Sequence, residues 1–289
     1  VSLPSRVPSL LDLLLKVLST ASGALLALAI RSRPSPRTAA WLRRGAASPV
    51  LPLLLAVWIA AHATPFVPRA NVAYFAYAFV PPHFSAWAIG NLLRHFAAWL
   101  LVSAVLRALA RRDSFWRIFG WFALASLACR VLFLRQQLGA EELLALLLAL
   151  PFITYLRGLA YRDAQLPLWV LVCLALLGHG LAPYDFGATL HVMQWSPLAT
   201  PPSVGEGGYA NILERMFLML GVAWLGASCR VGVLRSCAAL LLLQAFIVVA
   251  QLRLPARIPS TFDASLIIFG SLLAFAAHRS LLGLRGGPF

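Results

Sequence analysis

The chain has 289 residues, of which 61% are hydrophobic and 11% charged, and its formal net charge is +15. Water-soluble domains carry about 25% charged residues. A soluble enzyme or nucleic-acid-binding domain is therefore excluded, and the apolar runs of roughly 20 residues that recur along the chain describe a polytopic helical membrane protein.

The first apolar segment runs from about Leu10 to Ile30, with Asp12 and Lys16 four residues apart on one face. It has neither the basic start nor the small-residue cleavage site of a signal peptide, so it reads as a retained helix. A Pro/Ser-rich linker with Arg31, Arg33, Arg37, Arg43 and Arg44 follows. Eight further helical segments are predicted at about Leu51–Ala63, Trp87–Ala110, Trp116–Leu134, Glu142–Leu156, Leu168–Leu181, Asn211–Ser228, Ser236–Gln251 and Ala264–Leu282, making about nine spans. Loop arginines divide fifteen against five between alternate sides. The richer side is cytoplasmic by the positive-inside rule, which places the N-terminus outside and the C-terminus inside. The basic excess thus faces anionic lipid and not nucleic acid. Cys129, Cys173, Cys229 and Cys237 form no CxxC pair and read as buried, inert thiols.

Two stretches repeat. LPLLLAVWIAAHATPF from Leu51 and LPLWVLVCLALLGHGLAPY from Leu166 each open with Leu-Pro, reach a histidine (His62, His179) and leave at Pro65-Phe66 or Pro183-Tyr184. Each is followed by a long outer loop and an Asn-led helix, at Asn91 and Asn211. Each unit closes with a hairpin bearing an arginine and an acid, Arg135 with Glu141 and Arg257 with Asp263. This order predicts an all-α fold of two parallel four-helix repeats, 49–160 and 166–289, behind an N-terminal helix and basic linker, 1–48.

The closing hairpin, Phe246 to Gly270, carries its charges at its tip, where Pro255 and Pro259 stiffen the turn. Arg257 and Asp263 can pair at the membrane surface, and Gln251 offers an amide beside them. Asp185, Trp195, Gln251, Arg257 and Asp263 all fall on the outer side and are the candidate ligand contacts, together with the long loop between Pro183 and Tyr209. Within the membrane, Arg94 and Glu214 fall at equivalent depths of the two units and can pair across them. Arg130 reads as a snorkelling side chain. Glu141 and Glu142 are helix neighbours that point apart, and form no paired-carboxylate site. Repeat-related His62 and His179 could ligate haem, chlorophyll or a metal. No third ligand lies at short spacing, so no cofactor is expected.

The second unit resembles the VanZ-like family of bacterial membrane proteins. The resemblance rests on Pro183-Tyr184-Asp185-Phe186, Trp195-Ser196-Pro197, Asn211, and the closing series Gln251, Arg257, Asp263 and Gly270. Val248 and Ile267 stand where the family commonly has an acid and an asparagine, and the first unit keeps few of the polar positions. The resemblance implies a bacterial inner-membrane protein of the cell envelope, linked to glycopeptide resistance and with no settled chemistry. With no Ser-His-Asp set or phosphate loop, the expectation is a non-enzymatic protein that engages an envelope ligand or membrane partner on its outer face. The alternatives are a structural subunit of a larger complex with other integral membrane proteins, and a small-molecule or lipid transporter. Membrane lipid is the one partner expected in every case.

Overall fold

The computed structural model describes residues 50–64, 79–80, 85–110, 112–133, 138–187, 208–229, 232–254 and 264–272. All of them belong to one compact unit, Ala47–Phe289. The expected first helix, Leu10–Ile30, and its basic linker lie outside the described residues.

The elements in order are α1 (Val50–Ala63), β1 (Phe79–Val80), α2 (Ala86–Leu109), a 3₁₀ turn (Arg112–Ser114), α3 (Phe115–Leu132), β2 (Leu138–Gly139), α4 (Ala140–Gly158), α5 (Tyr161–Leu181), α6 (Gly208–Ser228), α7 (Val233–Gln251) and α8 (264–272). Among the described residues, five stretches are long and apolar enough to cross a membrane: Trp87–Leu109, Arg112–Leu132, Asp163–Leu181, Ala210–Ser228 and Val233–Gln251. Among the described residues, seven of the expected helices are found in full, six of them within a few residues of their predicted bounds and α5 starting earlier, while the end of the expected Ala264–Leu282 helix lies outside the described residues.

Helix α5 starts at Tyr161, where a linker was expected before a unit beginning at residue 166. Pro167 lies inside the helix and does not open it. A proline removes one backbone hydrogen bond and by itself favours a helix start. Here Arg107 holds the preceding turns in place. Its guanidinium donates to Leu156 O and Leu159 O, both at 2.7 Å, and lies over the Tyr161 ring at 5.5 Å. The same contacts satisfy the last carbonyls of α4. Arg157 does comparable work beside it, donating to Arg112 O at 2.8 Å and stacking near Phe115 and Trp116.

Helix α2 is the centre of the bundle. Every residue from Ala97 to Val102 is fully buried, and 72% of its span window is covered, against 22% for α3 and 28% for α7. Outward-facing apolar side chains such as Trp121, Leu234 and Leu242 therefore suit hydrocarbon and not water, as in an integral membrane protein. Packing follows one scheme in both halves: α1 lies on α6 and α5 on α2, while α1 meets α3 and α5 meets α7. The two short strands pair in parallel, Phe79 with Leu138 and Val80 with Gly139, which clamps the loop after α1 to the start of α4.

In lipid, helices gain little from hydrophobic exclusion, and close backbone approach matters more. Gly90 supplies it between α2 and α5: a Cβ there would stand 2.5 Å from the Ala182 Cβ. Gly90→Ala is expected to separate the two helices and to cost about 1–3 kcal/mol. Thermal unfolding in detergent, followed by tryptophan fluorescence, checks this. An unchanged midpoint would contradict the close approach.

Candidate functional site

The polar residues of the bundle collect at one end. His62 is in the last turn of α1 and Arg130 in the last turn of α3. Glu142 is in the first turn of α4, Arg94 and His95 are in the third turn of α2, and Glu214 is in the second turn of α6. His179 and Gln251 close α5 and α7 at the same end. Arg107, Arg112, Arg157 and Arg235 belong to the opposite end.

Six of these side chains form a buried ionic cluster. The Glu142 carboxylate is 1% exposed; its Oε1 lies 3.1 Å from His62 Nε2 and its Oε2 lies 3.1 Å from Arg130 Nε. Glu214 faces Arg94 Nε and His95 Nδ1, each at 3.5 Å, and Arg130 Nη2 stands 3.9 Å from its second oxygen. Arg94 Nη1 also donates to Asn211 Oδ1 at 3.4 Å. Arg130 therefore links both carboxylates, and its charge is engaged inside the bundle; the snorkelling expected from the sequence is corrected. The carboxylate cost of burial is met by cations from other helices, which a buried ion requires.

The tautomer of His62 follows from its partners. Its Nδ1 lies 2.9 Å from Trp58 O, which can only accept, so Nδ1 carries a hydrogen. Its Nε2 faces a carboxylate oxygen of Glu142 at 3.1 Å. Arg94 and Arg130 supply the two guanidinium charges that face Glu142 and Glu214. Trp58 roofs the pair: its ring centroid is 4.1 Å from that of His62, and its indole N–H donates to Ser126 Oγ at 3.0 Å.

Beside the cluster, a small open cleft of about 50 Å³ lies between α5, α6, α7 and α8. Arg94 reaches it from the cluster, and Arg215, His179 and Gln251 join it at the same end of the bundle. The lining then follows α7 from Gln251 back to Leu240, about 16 Å of helix. That stretch is apolar apart from Gln244. His179 Nδ1 is 2.9 Å from Gly90 O, and Gln251 Nε2 donates to Gly180 O at 2.9 Å. Both side chains are thus held at the mouth by the backbone of neighbouring helices.

The structure brings Arg94 and Glu214 together and places Gln251 in the cleft wall. Asp185 is exposed on the segment after α5, which Gly187 N ties to Arg253 O at the end of α7, at 2.7 Å. Trp195, Arg257 and Asp263 lie outside the described residues. His62 and His179 sit in different surroundings, one engaged at both ring nitrogens in the cluster and the other at the cleft mouth. Among the described residues no group of three His, Cys, Asp or Glu side chains is arranged to hold a metal. Sequence reasoning gave no role to Glu142, or to Gln244 in the cleft. Their common depth at helix ends was the available signal for Glu142. No family model, curated protein or solved structure matches the chain.

The cluster makes a thermodynamic prediction. Glu142→Ala strands Arg130 and His62 in a dry site and is expected to cost about 3 kcal/mol or more. Adding Arg130→Ala should recover part of that loss, with a coupling of about 0.5–3 kcal/mol in a double-mutant cycle of detergent unfolding. Strictly additive losses would show that the 3.1 Å contact carries no energy.

Proposed function

We propose that the chain is a VanZ-like, non-enzymatic protein of a bacterial-type inner membrane that binds a ligand on its extracytoplasmic side. The observation that carries this reading is the cleft itself. It has a cationic and amide-bearing mouth over apolar walls, at the end of the bundle opposite the arginine-rich turns. Concave sites with mostly apolar walls and a few convergent polar groups are where small ligands bind. The matching packing of α1–α3 and α5–α7 supports a duplicated pair of four-helix units. In this reading the first copy holds the fold and the second presents the site. The N-terminus lies outside and the C-terminus in the cytoplasm.

Two measurements test the reading. Cysteine introduced at exposed Asp185 should label with an impermeant maleimide added to intact spheroplasts, while cysteine at exposed Asp113 should label only after lysis. The reverse pattern would put the cleft mouth on the cytoplasmic side. Native mass spectrometry of protein purified in mild detergent should show a retained small molecule, lost in Leu243→Trp, which fills the half-buried cleft wall. Equal spectra for the two proteins would overturn the binding role, and stoichiometric co-purification of other membrane proteins would favour a complex subunit.

A further inference from the structure

We infer that the cleft takes up a small uncharged group with a hydrogen-bond donor and acceptor side by side, a carboxamide or its like, which pairs with the side chain of Gln244. This rests on the binding role proposed above and gives it a chemical class.

Three observations carry it. First, Gln244 is 5% exposed and forms part of the cleft wall. Among the described residues its carboxamide makes no hydrogen bond. A polar group left without a partner in such a place is costly, and a ligand amide satisfies both its N–H and its C=O. Second, the cationic side chains at the mouth are already engaged. Arg94 faces Glu214 at 3.5 Å, His179 Nδ1 lies 2.9 Å from Gly90 O, and Arg215 has a partner of its own. An ion drawn past them would be desolvated among Leu218, Met219, Leu240 and Leu243 with no counter-charge beside it. An uncharged group does not meet that cost. Third, the size and the lining agree with it. A cleft of about 50 Å³ has room for about three or four waters, and hence for a group of a few heavy atoms. Gln251 stands about two turns further along the same face of α7, about 10 Å nearer the mouth. Gly180 O can only accept, so Gln251 spends an N–H on it at 2.9 Å and keeps its C=O to present. Helix α7 thus offers the cleft two amides, one at the mouth and one inside.

Acetamide, acetate and acetone share one size and shape and differ in a single group: a donor beside an acceptor, an anion, an acceptor alone. Each is titrated into the protein purified in a neutral detergent, and binding is read by saturation-transfer NMR. Acetamide is expected to bind on the order of tenfold more tightly than either isostere. Gln244→Leu should bring the three to one level, Leu243→Trp should abolish binding of all three, and Arg235→Gln, exposed at the other end of the bundle, should change nothing. Acetate bound as tightly as acetamide would overturn the uncharged group, and acetone bound as tightly would overturn the paired donor and acceptor. Unaltered acetamide binding in Gln244→Leu would overturn the assignment to Gln244. In these three cases a signal that Leu243→Trp removes leaves the binding role standing. No binding of acetamide by the unaltered chain, or the same binding in Leu243→Trp, would overturn the inference, while the retained molecule in the native mass spectrum decides the binding role separately. Thermal midpoints recorded for each variant separate loss of binding from loss of fold. Should Gln244→Leu fail to fold, Gln244→Met, of similar length, is expected to lose the preference for acetamide, and its persistence there would count against the inference.

Discussion

Two buried carboxylates set the terms for this bundle. Glu142 is 1% exposed and Glu214 4%. A carboxylate in such surroundings persists only with cations and donors supplied at close range. None of those partners is on its own helix. Glu142 of α4 is met by α1 and α3, and Glu214 of α6 by α2 and α3. Each carboxylate thereby selects which helices must meet, and at what height. Apolar packing in lipid is poor at this, because hydrocarbon offers a leucine face much the same contacts as another leucine face does. The opposite end is registered by Arg107 and Arg157, which satisfy terminal carbonyls of α4 and of the turn before α3. Between the two polar rims, dispersion and close glycine contacts fill the middle.

The helices were legible because hydrocarbon imposes its thickness on the sequence: apolar runs of spanning length, cut by Pro, Gly and arginine, place most helix ends to within a few residues. The start of α5 was not, since what sustains it across Pro167 is Arg107, a residue more than fifty positions earlier. Within the candidate site, the facing of Arg94 and Glu214 could be anticipated from the offset between the halves. Glu142 could not be reached by the same route. That Glu141 and Glu142 point apart is correct of a helix, but it leaves open where each points, and the answer depends on α1 and α3 arriving beside α4. The cleft was still less accessible to sequence reasoning, because a void between four helices has no residues of its own.

The two halves use corresponding positions differently. His62, at the end of α1, is fully buried and engaged at both nitrogens. His179, at the end of α5, is half-buried and faces the cleft. Near the end of α3 stands Arg130, locked between two carboxylates; at the end of α7 stands Gln251, which spends its amide N–H on Gly180 O. If the halves are copies, the first has closed its polar positions on one another and the second has kept them at an open edge. The polar positions of the first half are thus turned into the bundle. Those that matter for its own packing, His62, Arg94, Arg130 and Glu142, serve the cluster.

Arg94 belongs to both assemblies, and its position decides how they interact. It faces Glu214 at 3.5 Å, longer than the 3.1 Å contacts around Glu142, and it keeps about a fifth of its side chain exposed. A guanidinium has donors on three nitrogens in one plane, so it can hold a carboxylate with one edge and present another elsewhere. Partial burial lets it do both: the guanidinium remains fixed by Glu214 and Asn211 while another edge faces the cleft. The same residue that helps hold two halves of the bundle together thus forms part of the cleft wall.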